Sequence, residues 1–224
     1  MNMNYQINRT YFKPKKALAY VGGAFCVLAA PLYIFLHPIL GIIALLIGVF
    51  SILINRELNV RRSDVEEQIK AETDRLAAAL EEKYYDVKNP DPKMTVTVVG
   101  DYVTEGEGLI VRREALGSGV TSRYAAAAVG IRHERLYFME ERFSIVEDGD
   151  VTSSDGEYPF TDLDRVEYGP AEGAAIPHVE FALIDRNGKE LFRVPAKADY
   201  PTQKFVEDLN VYFERARAAG TNKE

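Results

Sequence analysis

The sequence predicts an α+β membrane protein: a two-helix transmembrane hairpin, an amphipathic connecting helix, and a small β-barrel or sandwich capped by a C-terminal α-helix. Three observations predict it. Ala17–Leu36 and Ile39–Ile54 are stretches of 20 and 16 residues without a charge, and about 20 apolar residues cross a bilayer core as a helix. From Met94 the pattern changes to short β-type runs separated by turns. The chain then closes on an amphipathic helix beginning near Pro201.

Charge divides the chain in the same way. Residues 1–62 hold seven Lys and Arg against one acid, Glu57, a net of +6. The remaining 162 residues hold 20 basic and 33 acidic side chains, a net of −13. A net-acidic soluble part argues against nucleic acid as a partner, because phosphate neutralisation supplies most of such affinity. The lone cysteine, Cys26, permits no intrachain disulfide. Phe25 before it departs from a lipoprotein signal, so Cys26 reads as a small apolar packing residue.

Residues 17–54 are the hairpin. A cleaved signal peptide has a shorter apolar core and a small-residue cleavage site, and here a second span follows at once. Pro38 lacks a donor N–H and disfavours helical geometry at His37, which places the turn at 37–38. The basic clusters Lys13, Lys15, Lys16 and Arg56, Arg61, Arg62 flank the outer ends. By the positive-inside rule the terminus 1–16 and the C-terminal part share the cytoplasmic side of a multi-pass inner-membrane protein. Gly22, Cys26 and Ala30 recur every four residues, and Gly41, Ala44, Gly48 and Ser51 follow a 3-4-3 spacing. Small residues let helices approach closely in lipid. The two stripes either face each other within the hairpin or one packs on another subunit.

Residues 55–88 predict the connecting helix. Ser63 and Glu66 fit a capping box. Val65, Ile69, Leu76 and Leu80 recur at helical spacing with Thr73 filling the missing step, and Glu66, Glu67, Lys70, Glu72, Asp74, Glu81 and Glu82 occupy the other faces. Pro90 and Pro92 forbid continuation. The stripe needs cover, from the following domain or from its own copy in another chain. Anionic lipid would repel the acidic face.

Residues 89–218 are the β domain, followed by the tail 219–224. Its runs include "MTVTVVGDYV", "GLIVRREAL", "RYAAAAVGI" and "RLYFMEERFSIV". "HVEFALIDRNGKELFRV" predicts a hairpin with a type I′ turn at Asn187-Gly188. Phe205, Leu209, Tyr212 and Phe213 form the apolar face of the last helix. Arg132-His133-Glu134-Arg135 is the turn between two strands, with Leu136 and Phe138 alternating into the core.

The segments "AVGIRHERLYF", "YPFTDLDRVEYG", "VEFALIDRNGKELFRV" and "FVEDLNVYF" resemble bacterial pleckstrin-homology-like (PH-like, GRAM-related) domains over about Gly108 to Ala218. The resemblance implies a small barrel with a helical cap beside transmembrane helices. Family members that bind inositol phosphates hold the head group with Lys and Arg around the first strand–strand loop. The corresponding stretch here, "MEERFSIVEDGDVTSSDGE", has seven acids (Glu140, Glu141, Glu147, Asp148, Asp150, Asp155, Glu157) against Arg142. That composition repels an anionic head group.

No catalytic, cofactor or metal site is expected. His37 and His178 lie far from His133 in sequence, so no ligand cluster is visible. Gly106-Glu107-Gly108 and Gly117-Ser118-Gly119 lack a third glycine and a Walker lysine. Ser118 lacks the nucleophile-elbow pattern. "DGDVTSSDGE" has Ser153 where a calcium loop needs glycine and Pro159 where it needs glutamate, and it reads as a polar hairpin loop. The carboxylates Glu140-Glu141 and Asp162/Asp164 read as an acidic surface. The expected function is a membrane-anchored cytoplasmic adaptor that binds protein partners or forms a homo-oligomer. The alternatives are an accessory subunit of a membrane transporter or envelope enzyme complex, and a lipid-sensing module.

Overall fold

The computed structural model describes residues 3–84, 93–113, 119–172, 174 and 176–221. The chain divides into two compact units, Asn4–Glu66 and Glu67–Glu224.

The first unit is helical. Residues 1–16, read from the sequence only as a basic terminus, contain a helix α1 (Tyr5–Phe12), whose first turn is capped by Asn4 Oδ1 accepting from the Ile7 N–H at 3.3 Å. Next come α2 (Ala17–Pro31) and a π-helical turn (Leu32–Leu36). Pro31 has no N–H to donate, and the wider turn just beyond it closes with the His37 N–H on Leu32 O at 3.0 Å. His37 is extended and caps α3 (Pro38–Glu57), its Nδ1 accepting from the Ile39 N–H at 3.2 Å while Pro38 takes the first helical position.

Helices α2 and α3 pack through small residues. A Cβ on Gly22 would stand 2.7 Å from Gly48 O, and one on Gly48 would stand 2.6 Å from Cys26 Sγ. One on Gly41 would lie 2.8 Å from Ala29 O, and Ala44 is buried. Ser51 is half-buried. Ala30 leaves the expected stripe: it is exposed, and Ala29 is buried in its place. A 3.6-residue turn advances from Cys26 by three residues as readily as by four.

Helix α4 (Arg62–Lys83) starts one residue before the expected cap. Asp64, not Glu66, reaches back: its Oδ2 accepts from the Arg61 N–H at 3.1 Å, and Glu66 pairs with Arg62 instead. The buried stripe from Ile69 runs through Glu72, Leu76 and Leu80. Glu72 thus takes the step expected of Thr73, which a carboxylate tolerates because Arg75 Nε donates to it at 2.6 Å. The helix ends at Lys83; Asn89–Pro92, expected to stop it, lie outside the described residues, as do Gly117 and Ser118.

The second unit holds a four-stranded antiparallel sheet in the order β1 (Thr95–Tyr102), β4 (Arg123–Arg132), β5 (Arg135–Ser144), β6 (Val151–Pro159). A short hairpin, β2 (Val111–Arg113) and β3 (Gly119–Thr121), is inserted after β1. A 3-10 turn (Phe160–Asp162) leads to a three-stranded sheet β7 (Leu163–Pro170), β8 (Val179–Asp185), β9 (Glu190–Ala196). Helix α5 (Tyr200–Thr221) follows, with Asp199 Oδ1 accepting from the Thr202 N–H at 2.9 Å as its cap. Both sheets and α5 share one core, in which Leu136, Phe181, Leu183, Leu209 and Phe213 are fully buried. Each such side chain contributes about 1.5–3 kcal/mol by burial.

The alanine run of β4 is buried on both faces. Ala125 and Ala127 belong to the core, while Ala126 and Ala128 are equally inaccessible but lie outside it. Alternation puts Gly130 on the same face as Ala126 and Ala128, and a Cβ on Gly130 would lie 3.2 Å from Leu80 Cδ2. The cover of this outer face is therefore α4, whose apolar stripe finds its partner within the chain. Small residues on β4 leave room for the helix.

The turn expected at 132–135 is present, and the turn type expected at Asn187-Gly188 changes. His133 and Glu134 have φ of 49° and 58°, the positive pair that a type I′ turn requires. At Asn187-Gly188 only Gly188 has positive φ. Asp185 Oδ1 accepts from both the Asn187 and Lys189 N–H groups at 2.8 Å and imposes a wider turn. The expected polar loop at 148–157 is a larger miss: from Val151 onwards it is β6, an exposed strand.

Candidate functional site

Two helices are long and apolar enough to cross a membrane. Their large side chains have no protein cover: Phe35 is 80% exposed, Leu46 63% and Phe50 65%. Such a continuous apolar surface is unstable in water and matches hydrocarbon. At one end of the pair the basic clusters come together. Asn59 Oδ1 accepts from the Lys15 N–H at 3.0 Å, while Asn59 Nδ2 donates to Lys15 O at 3.2 Å and to Asn55 O at 2.6 Å. The Val60 N–H donates to Thr10 Oγ1 at 3.2 Å. Lys13, Lys15 and Lys16 are thereby tied to the segment carrying Arg56, Arg61 and Arg62, and all six side chains are exposed. Glu57 pairs with Arg61 at 3.7 Å.

In the second unit α4 is fixed to the sheet by polar contacts at the rim of its apolar stripe. Arg75 Nη2 donates to both Glu141 oxygens, at 2.8 and 2.6 Å. Burial alone would lower the Arg75 pKa, but bonding to Glu72 and Glu141 outweighs it and raises the value. Lys83 Nζ and the Tyr84 hydroxyl both donate to Asp155 Oδ2, at 2.6 and 3.1 Å. Lys83 holds the Asp155 carboxyl below its ordinary range. Burial, with Asp155 beside it, pushes the Tyr84 hydroxyl up to about 12, so it remains a donor at neutral pH. Arg132 Nη2 reaches Tyr84 O at 3.0 Å.

The acidic stretch 139–157 is thus two strands and a turn, and most of its charge is matched. Glu140 pairs with Arg142, Glu141 with Arg75, Asp150 with Arg123, Asp155 with Lys83 and Glu157 with Arg135, all at 2.6 to 2.8 Å. Four of those cations lie outside the stretch, beyond the reach of a composition count. The expected repulsion of anions is correspondingly smaller.

Sheet edges differ in their cover. On β7, Asn210 of α5 accepts from the Val166 N–H at 2.7 Å and donates to Val166 O at 3.2 Å, so one side chain occupies the place of a neighbouring strand. β9 runs close to β1. β6 is the terminal strand of its sheet, and its first five residues are exposed.

The structure also joins Thr104, His178 and Glu180, a grouping with no signal in the sequence. His178 Nδ1 lies 3.0 Å from both Thr104 Oγ1 and Ile176 O, and Nε2 lies 3.4 Å from Glu180 Oε1. A base must offer Nδ1 as a lone pair to the hydroxyl, whereas the Ile176 carbonyl demands a proton on the same atom. Glu180 is also engaged by Arg193 Nη1 at 2.7 Å. The group ties the start of β8 to the loop after β1 and does not form a nucleophile–base pair. A neighbouring cleft of about 480 Å³ is lined by Glu167, Tyr168, Glu172, Glu180 and Arg193 among others. Its one cation is held by Glu190 and Glu180, which raise the Arg193 pKa. Among the described residues no group of three or more His, Cys, Asp or Glu could hold a metal ion.

Comparison with protein-family models, with curated proteins and with solved structures finds no match for the chain.

Proposed function

We propose that this chain is a membrane-anchored adaptor, in which a transmembrane hairpin holds a PH-like domain at the cytoplasmic face of the cell membrane for binding to protein partners. The observation that carries it is the helix pair, with an uncovered apolar surface along its length and both basic clusters at one end. Cytoplasmic retention of such clusters sets the orientation. The PH-like reading is supported by strand order. With the β2–β3 hairpin set aside, a four-stranded meander, a three-stranded meander and a closing helix follow in sequence.

The competing reading is lipid sensing by the domain. It is tested with residues 62–224, which keep α4 over Ala126 and Ala128; a fragment starting at 89 would bare that face. The adaptor reading expects the fragment to stay in the aqueous phase when liposomes of about 30% phosphatidylserine are floated at low salt. Salt-sensitive flotation of the fragment would restore lipid sensing and remove the adaptor reading.

A further inference from the structure

The edge of β6 carries a row of unused main-chain groups whose identity follows from register. The turn His133–Glu134 closes the β4–β5 hairpin at the pair Arg132↔Arg135, and the closing pair of a two-residue hairpin is hydrogen-bonded. Odd-numbered residues of β5 therefore direct their N–H and C=O groups to β4, and even-numbered residues direct theirs to β6. The Ser144 N–H donating to Asp150 O at 3.2 Å agrees. Register then pairs Leu136 with Tyr158, Phe138 with Gly156, Glu140 with Ser154 and Arg142 with Thr152. The main-chain groups of Val151, Ser153, Asp155 and Glu157 point away from the sheet. Among the described residues, no hydrogen bond reaches the main chain of these four.

Exposed edges are ordinarily blunted by lysine, proline, a bulge or a covering element. β7 shows the covering device in Asn210. β6 has no lysine, its register with β5 is unbroken, and its one proline is the terminal Pro159. We infer that β6 is a docking edge for an extended basic segment of a partner protein, which adds to the sheet as a fifth strand. The inference rests on the adaptor reading and names the class of partner. Main-chain bonds supply the affinity in such additions, and alternate side chains supply selectivity. Charge selects the occupant. Asp155 and Glu157 on β6 are already engaged by Lys83 and Arg135, so the selection rests on the net charge around the edge: residues 63–224 carry 20 basic against 33 acidic side chains. A second copy would bring two net-acidic domains together, and like net charge opposes such association.

The test uses the full chain in detergent micelles and a short fluorescent peptide of alternating Lys and Thr, read by anisotropy. Two companion peptides are an N-methylated version, which keeps the charge and loses alternate donors, and a version with Glu for Lys. The Lys peptide is expected to bind, and both companions about tenfold or more weakly. Ser153→Pro removes an outward N–H without breaking a bond to β5, and Ser153→Lys adds the usual edge guard. Each should weaken the Lys peptide by a similar factor. Equal binding of the N-methylated peptide reduces the effect to charge alone and overturns the inference, whether or not Ser153→Pro folds. Equal binding by wild type and both variants, or binding of none of the peptides, also overturns it. A wild-type dimer lost in Ser153→Pro would make a second copy the occupant and overturn the choice of partner. None of these results touches the adaptor reading, which stands or falls on the flotation result.

Discussion

Arg75→Met is expected to destabilise the second unit by about 3 kcal/mol, near the lower end of the cost of breaking a buried ion pair. Glu72 and Glu141 are 4% and 6% exposed, and Arg75 hydrogen-bonds to both. Its removal leaves two carboxylates facing each other in a partly dry seam. The Arg75 side chain is itself 47% exposed, which is why the upper part of the range does not apply. Since Glu72 lies on α4 and Glu141 on β5, the loss falls on the contact between helix and sheet. Faster hydrogen exchange at Ala126 and Ala128 should accompany a lower unfolding midpoint of the full chain in detergent. Adding Glu141→Gln and Glu72→Leu to Arg75→Met should restore most of the loss, because an uncharged seam has nothing left unpaired. A loss below about 0.5 kcal/mol would show that the seam is wet and that Arg75 does not secure the helix.

Gly48→Leu is expected to separate the two apolar helices at a cost of about 1–3 kcal/mol, the usual cost of overpacking. A Cβ there would stand 2.6 Å from Cys26 Sγ and 2.8 Å from Gly22 O. One of those contacts is backbone, so the helices must move apart. Gly23→Leu is the matched control, since a Cβ on Gly23 meets nothing within 4 Å. Thermal loss of helicity in detergent should shift downwards for Gly48→Leu and remain in place for Gly23→Leu. Equal shifts would mean that helix propensity, and not close approach, governs both sites.

What could be read from the sequence was what periodicity and missing charge encode. The apolar stretches, the break at His37-Pro38, the His133–Glu134 turn and the apolar face of α5 all belong to that class. β6 was illegible because Thr152, Ser153, Ser154, Asp155 and Glu157 are polar on both faces, so no apolar residues alternate along that stretch. Glu72 was placed outside because the sheet residue that shares its partner Arg75, Glu141, lies 66 residues from that arginine. The same separation hid the pairing of the acidic stretch, which only folding brings beside Lys83 and Arg75. Asn210 on Val166 is a tertiary contact between α5 and β7 with no local signature. The four alanines of β4 were recognised as a strand, but the reason for their small size lies in α4.

The central claim, a hairpin that keeps both ends of the chain on the cytoplasmic side, is tested most directly by cysteine labelling in intact cells. With Cys26 replaced by alanine, single cysteines are placed at Asn4, Leu36 and Thr221 and treated with an impermeant maleimide. The account predicts that Leu36→Cys, beside the His37-Pro38 turn, is labelled, while Asn4→Cys and Thr221→Cys react only after the membrane is opened. Labelling of Asn4→Cys or Thr221→Cys in intact cells would contradict it.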